Sequence, residues 1–149
     1  MDTMRMEKGY VHWGHDMSPE ENQYEAGLKF AVSFKKNIDF IGKKAIEKIK
    51  KEKIKKKMAI FVLKNSKQGS PLLLHDEPIY CEDKIVGRTT SGNYSFNYKK
   101  NMSFGYINLI LPIEELAKKN FSIEVEKKLY EAVLQTEPLH DAKNEIIKN

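Results

Sequence analysis

His12 and His15 stand three positions apart in the stretch Tyr10 to Asn22, with Asp16 directly after the second. A metal site needs three or four convergent ligands. No cysteine stands nearby, so these residues read as loop histidines and no metal ligand is assigned. Cys81 and His75 are the residue types of a nucleophile and its base. Cys81, however, closes the run Pro78 to Cys81, which a hairpin strand would bury, and a buried thiol is inert. No catalytic residue is therefore assigned. Glu7 permits two readings. A carboxylate in the last turn of a short helix opposes the helix dipole by about 0.3–1 kcal/mol, and Lys8 or a loop amide would compensate it structurally. Alternatively, Glu7, Tyr10 and Trp13 edge a cofactor site for a flat heterocycle, with the carboxylate gripping adjacent N–H donors and the aromatic faces covering the ring. Tyr94, Phe96 and Tyr98 alternate ahead of Lys99 and Lys100. On a strand they would share one face, as in single-strand nucleic-acid binders or in ordinary packing of a barrel edge. Gly9, Gly14 and Gly27 are spaced wrongly for a phosphate loop.

These groups need a scaffold of modest size. The 149 residues fit one domain, or a small domain with an extension packed on it. Hydrophobic residues at 40% allow a modest core, while charged residues at 32% keep the surface solvated. No apolar run approaches the roughly 18 residues of a membrane span, and the first seven residues lack the order of a secretory signal. No membrane association is expected. With one cysteine no internal disulfide can form, and a cytoplasmic, reducing setting is expected. The net charge of +5 rests on lysine, since only Arg5 and Arg88 are arginines. Lysine lacks the planar fork that reads phosphates and bases, so the charge attracts anions without choosing among them.

Two zones differ in periodicity. In residues 1–55, Asp2 can cap a short helix that Gly9 ends. The stretch Tyr10 to Asn22 suits an ordered loop. Leu28, Phe30 and Val32 suggest a strand. A second helix follows Asp39-Phe40-Ile41-Gly42, with Ile41, Ala45 and Ile49 as its apolar stripe. Nine lysines crowd residues 43–57. They form either a nucleic-acid patch or a solvated helix face running into a linker, and no interleaved aromatic offers a stacking platform. In residues 56–149 short strands dominate: Met58 to Lys64, a hairpin of Pro78 to Cys81 with Ile85 to Thr90, Met102 to Asn108, and Phe121 to Val125 answered by Tyr130 to Gln135. Pro112 opens a short helix ending near Asn120. The class is α+β: an N-terminal helix-loop-helix extension followed by a small antiparallel barrel or sandwich.

The order of the motifs carries a resemblance. Met4-Arg5-Met6-Glu7-Lys8-Gly9-Tyr10, then His12-Trp13-Gly14-His15-Asp16, Glu25-Ala26-Gly27-Leu28 and Asp39-Phe40-Ile41-Gly42-Lys43-Lys44-Ala45 follow one another as in the glycine cleavage T-protein and dimethylglycine/sarcosine dehydrogenase family. Val86-Gly87-Arg88-Thr89-Thr90-Ser91-Gly92, Gly105-Tyr106-Ile107 and Glu137-Pro138-Leu139-His140-Asp141 continue the likeness to the end. The resemblance implies a C-terminal β-barrel forming a lid, with residues 1–55 as the end of the folate-binding domain. It implies tetrahydrofolate as one-carbon acceptor at a weak or partial site, and FAD only in full-length dehydrogenase relatives. It places the catalytic aspartate and the pterin-gripping glutamate upstream of these residues, so that a folate or flavin domain or subunit would be the partner. Tyr10 matches a tyrosine of the family's folate site. Where the family sets an aromatic residue or an arginine against the ligand, this chain has Lys143-Asn144-Glu145. The related iron–sulfur assembly branch carries a cysteine that Lys8-Gly9-Tyr10-Val11 lacks. The expected function is therefore one-carbon transfer from a methylated glycine, with the chain incomplete as an enzyme alone. The alternatives are a non-catalytic basic barrel binding single-stranded nucleic acid and a module docking to a partner subunit, with a homo-oligomer as a further candidate assembly.

Overall fold

The structure, a computed structural model, describes residues 1–36, 38–108 and 111–148. Six strands close into an antiparallel barrel: β1 (Lys56–Leu63), β2 (Pro78–Cys81), β3 (Lys84–Ser95), β4 (Lys100–Asn108), β5 (Phe121–Val125) and β6 (Lys128–Gln135). Their order around the barrel is β1-β4-β3-β2-β5-β6. The β2–β3, β3–β4 and β5–β6 neighbours are hairpins, while β1–β4 and β2–β5 pair across longer connections. Closure removes the unpaired edges that an open sheet would offer to other chains.

Strand alternation explains the core. Ala59, Phe61 and Leu63 of β1 join Ile79, Ile107, Phe121, Ile123 and Leu134 inside the barrel. The intervening Met58, Ile60 and Val62 face the other way and pack with Met6, Met102 and Phe104. That second cluster is why β1 reads as a nearly continuous apolar run: both of its faces are covered. The barrel is tight enough that a Cβ on Gly87 would lie 1.8 Å from the Tyr106 carbonyl oxygen across the β3–β4 pairing, so this position tolerates no side chain. The β5–β6 turn places Glu126 at φ 51° and Lys127 at φ 64°. Two consecutive left-handed residues are what a two-residue hairpin needs.

The cover over β1 and β4 is the N-terminal segment. Helix α1 (Asp2–Glu7) carries Asp2 in its first turn, paired with Arg5, while Met1 occupies the cap position. At its end Gly9 takes φ 80°. The Gly9 amide donates to the Met6 carbonyl at 3.0 Å and the Tyr10 amide to the Arg5 carbonyl at 2.8 Å, which is a Schellman stop.

The expected strand at Leu28, Phe30 and Val32 is not formed. Turns and a short 3₁₀ helix, Lys29–Ala31, stand in its place, and Phe30 is 85% exposed. The Asn22 side-chain oxygen accepts from the amides of Tyr24 and Glu25 at 2.9 and 3.1 Å. Such local bonds compete with an extended backbone, and Gly27 at φ 76° turns the chain again. Helix α2 (Lys43–Lys51) forms where expected but buries none of its residues. Helix α3 (Ile113–Leu116) follows Pro112 and buries Leu116, and α4 (Glu145–Lys148) lies near the C-terminus.

Candidate functional site

Past Gly9 the chain runs through the loop Tyr10 to Met17 beside the barrel wall. Its backbone is held by an ion pair whose carboxylate is buried and whose guanidinium is partly so. Arg5 Nη1 donates to Asp16 Oδ2 at 2.7 Å and to the Tyr10 carbonyl at 3.1 Å, and Arg5 Nη2 donates to Ser91 Oγ on β3 at 3.0 Å. Asp16 also accepts from the His12 amide at 2.8 Å and from the Thr90 hydroxyl at 2.7 Å. The loop backbone is thereby fixed while its aromatic side chains remain free. Tyr10 is 58% exposed and Trp13 62%.

Both face an open groove of about 800 Å³, lined further by Phe30, by Met58 and Ile60 of β1, and by Pro138 of the C-terminal tail. That volume lies in the range of small-molecule sites. Its far bank is strapped down. The side chains of Lys8 and Asp141 form an ion pair at 3.0 Å with only 9% and 3% exposure, and Lys8 also donates to the Asp141 carbonyl. The His140 amide donates to the Glu7 carbonyl at 2.8 Å. The Tyr98 hydroxyl donates to the Leu139 carbonyl at 2.6 Å.

Of the three candidate cofactor residues, Tyr10 and Trp13 meet at this groove and Glu7 does not. The Glu7 side chain is buried and turned toward the β3–β4 hairpin. Its Oε1 accepts from Ser95 Oγ and its Oε2 from Asn97 Nδ2, each at 2.6 Å. The compensating partners of the helix-end carboxylate are thus a distant serine and asparagine, rather than Lys8 or a loop amide, and the clamp reading of Glu7 finds no oxygen turned to the groove.

The remaining candidates are dispersed. His12 and His15 stack at 5.0 Å and line, with His75, a separate cleft of about 240 Å³. Among the described residues no three His, Cys, Asp or Glu side chains gather in a way that could hold a metal. Cys81 lies in the barrel core, where burial, followed by the Glu82 charge, pushes its thiol up despite Lys119. His75 instead bonds Asp76 at 2.9 Å on the surface. The Tyr94-Phe96-Tyr98 row does not make a flat platform. Strand β3 ends at Ser95, Tyr94 and Phe96 meet edge to face at 86°, and Tyr98 is tied to the tail. This geometry disfavours the single-strand nucleic-acid reading.

The contacts that build the groove join residues far apart in sequence: Glu7 to Ser95, Arg5 to Ser91, Lys8 to Asp141. One signal for them was visible. Arg5 is one of two arginines in a lysine-rich chain, and a guanidinium is the side chain suited to buried pairing.

A small closed antiparallel barrel whose outer face is roofed by an N-terminal helix and loop, with an apolar groove at the seam, defines the class of protein. Residues 56–141 match the family model described as the glycine cleavage T-protein C-terminal barrel domain, and residues 1–36 match the GCVT N-terminal domain. The chain belongs to the glycine cleavage T-protein family through that barrel domain.

Human mitochondrial dimethylglycine dehydrogenase is 36% identical over 93% of this chain, which covers 15% of that relative. The formaldehyde-forming 4-methylaminobutanoate oxidase of Paenarthrobacter nicotinovorans is 31% identical over 99% of this chain and 17% of its own length. The fold is shared with the glycine cleavage system aminomethyltransferase T from Bartonella henselae. That likeness has a TM-score of 0.79 at 17% identity, covering 95% of this chain and 38% of the other. The chain thus spans less than a fifth of the length of the two curated relatives.

Proposed function

We propose that this chain supplies one wall and the lid of a tetrahydrofolate site serving one-carbon transfer from a methylated amine of the N-methylglycine kind. A folate-binding domain, in the same or another polypeptide, would complete the site. The observation that carries the reading is the position of the groove. It opens between the segment matching the GCVT N-terminal domain and the barrel, and Tyr10 and Trp13 present aromatic faces there. Seams between domains are where ligand sites preferentially form.

The residues present fit a flat heterocycle only in part. Aromatic and aliphatic side chains can cover a ring, but Lys8 is ion-paired and Glu7 is turned away. The polar grip and the catalytic groups therefore belong to the partner domain, and FAD to a flavin domain where the donor amine must be oxidised. Bound tetrahydrofolate would supply the nitrogen nucleophiles that accept carbon at the formaldehyde level. This chain's own work is to orient the ring and exclude water. The single buried cysteine suits a reducing, cytoplasmic setting.

Trp13 is the single tryptophan, so its fluorescence reports ligand entry. Titrating tetrahydrofolate into the chain alone should give a Kd weaker than about 0.1 mM and no turnover. Adding a folate-binding domain should tighten binding, and Trp13→Ala should weaken it. Tight stoichiometric binding by the chain alone would overturn the divided-site reading. No binding with the domain present would overturn the folate assignment.

A further inference from the structure

We infer that Asp16 is a positioning residue: through the pairing of its buried carboxylate with Arg5 it selects one backbone path for the Tyr10 to Met17 loop and so sets the aromatic wall of the groove without touching a ligand.

Asp16 is 1% exposed, and taking a carboxylate and a guanidinium out of water is costly. Apolar side chains of similar volume often hold a fold as well or better. Simple anchoring of the loop does not call for charge. What the charged pair supplies is direction. Asp16 Oδ2 receives both Arg5 Nη1 and the His12 amide, while Oδ1 receives the Thr90 hydroxyl of β3. Arg5 returns to the same loop at the Tyr10 carbonyl and reaches β3 at Ser91. The backbone is thus fixed at residue 10 and again at residue 12, on either side of Val11. Behind Trp13 the Gly14 amide donates to the Met17 carbonyl at 2.8 Å, and the Asp16 amide donates to the His12 carbonyl at 2.8 Å. The loop is triangulated against one strand of the barrel.

Apolar contact is non-directional, so an apolar replacement would keep the loop near β3 but would allow several backbone paths. Tyr10 and Trp13 make few contacts of their own, as their exposure shows. Their placement is inherited from this network. The ligand half of the inference rests on the proposed heterocycle site; the loop half does not.

Two readouts separate those halves. The first needs no ligand: acrylamide quenching and fluorescence anisotropy of Trp13 in the full chain. Asp16→Asn should raise the quenching constant and lower the anisotropy. Thr90→Val, which removes a single bond to Asp16, should act in the same direction more weakly while leaving the unfolding midpoint near wild type. The double variant Arg5→Gln/Asp16→Asn, a neutral pair that can still hydrogen-bond, should restore part of the Trp13 signal. Restoration by a neutral pair would not follow from simple loss of a buried charge.

The second readout is tetrahydrofolate affinity with a folate-binding domain present, which Asp16→Asn should weaken on the order of tenfold and the neutral pair should recover in part. Unchanged Trp13 quenching in folded Asp16→Asn, or in Thr90→Val should the former not fold, would overturn the inference. Should wild type fail to bind tetrahydrofolate while the Trp13 changes appear, the proposed function falls and Asp16 keeps its positioning role.

Discussion

Glu7 and Ser95 are separated by 88 residues in sequence and by 2.6 Å in space. The first closes helix α1 and the second closes strand β3, so this buried contact joins the roof to the barrel beside the β3–β4 turn. Asn97 completes the carboxylate's surroundings at 2.6 Å, and the Tyr98 amide in turn donates to Ser95 Oγ at 3.1 Å.

Removing the Glu7 carboxylate leaves those donors unmatched. Glu7→Ala should destabilise the chain by about 2–3 kcal/mol, since the buried Ser95 hydroxyl and the part-buried Asn97 amide lose a charged acceptor. Glu7→Gln should cost about 1 kcal/mol, because Asn97 can reverse its amide and accept from the new NH₂ group. Urea denaturation of both variants measures the difference. Equal losses would show that the charged carboxylate, and neither the volume nor the neutral hydrogen bonds that glutamine retains, holds this joint.

The barrel was legible because its signals are local. Phe121, Ile123 and Val125 alternate and are buried together, and Cys81, closing its short strand, is buried as its place in a hairpin implied. Met58 and Ile60 were legible as strand but not as contact surface, because a run covered on both faces does not say what covers it. The Leu28-Phe30-Val32 alternation misled, since three weak positions lost to the bonds of Asn22. The groove was the least legible part. Tyr10 and Trp13 could be singled out by type, but their bank at Pro138 and the fixing of the loop by Thr90 depend on chain closure, which periodicity does not encode.

Acid stability should report the tail strap. Burial pushes the Asp141 carboxyl up, but the Lys8 hydrogen bond, the Ile146 and Glu145 amides and the Lys8 charge outweigh it, leaving the carboxyl below its ordinary value of 3.8. A group lowered by folding stabilises the chain above its unfolded value and loses that contribution as pH falls through the folded one. The stability gap between wild type and Asp141→Asn should therefore be full near neutral pH and shrink from about pH 4 downward. Unfolding midpoints taken from about pH 7 to about pH 2 test this. A gap that stays constant through that acid range would contradict the assignment.

Helix α2 offers a contrast between a pattern and its burial. Ile41, Ala45 and Ile49 make an apolar stripe in sequence, yet Ile41 is fully exposed and α2 buries nothing, whereas Ile123 of β5 is 0% exposed. Ile123→Ala should cost about 2–5 kcal/mol through lost transfer energy and a residual cavity. Ile41→Ala and Ile49→Ala should stay within about 0.5 kcal/mol in the isolated chain. Thermal unfolding of the three variants distinguishes them, and a large loss at Ile49 would mean that α2 packs more tightly than its exposure indicates.

Two glycines with nearly the same backbone separate strain from contact. Gly9 and Gly14 have φ of 80° and 87°, so alanine at either site must adopt a left-handed conformation, at about 1–2 kcal/mol. A Cβ at Gly14 would meet nothing within 4 Å, while one at Gly9 would lie 2.7 Å from Pro138 Cγ. Gly14→Ala therefore isolates the backbone term. Gly9→Ala adds displacement of the tail and should cost roughly a further 1 kcal/mol or more. It should also speed hydrogen exchange at the His140 amide, whose partner is the Glu7 carbonyl at 2.8 Å. Equal stability losses with unchanged His140 exchange would mean that the tail yields freely, and that the groove's far bank is not fixed by its contact with α1.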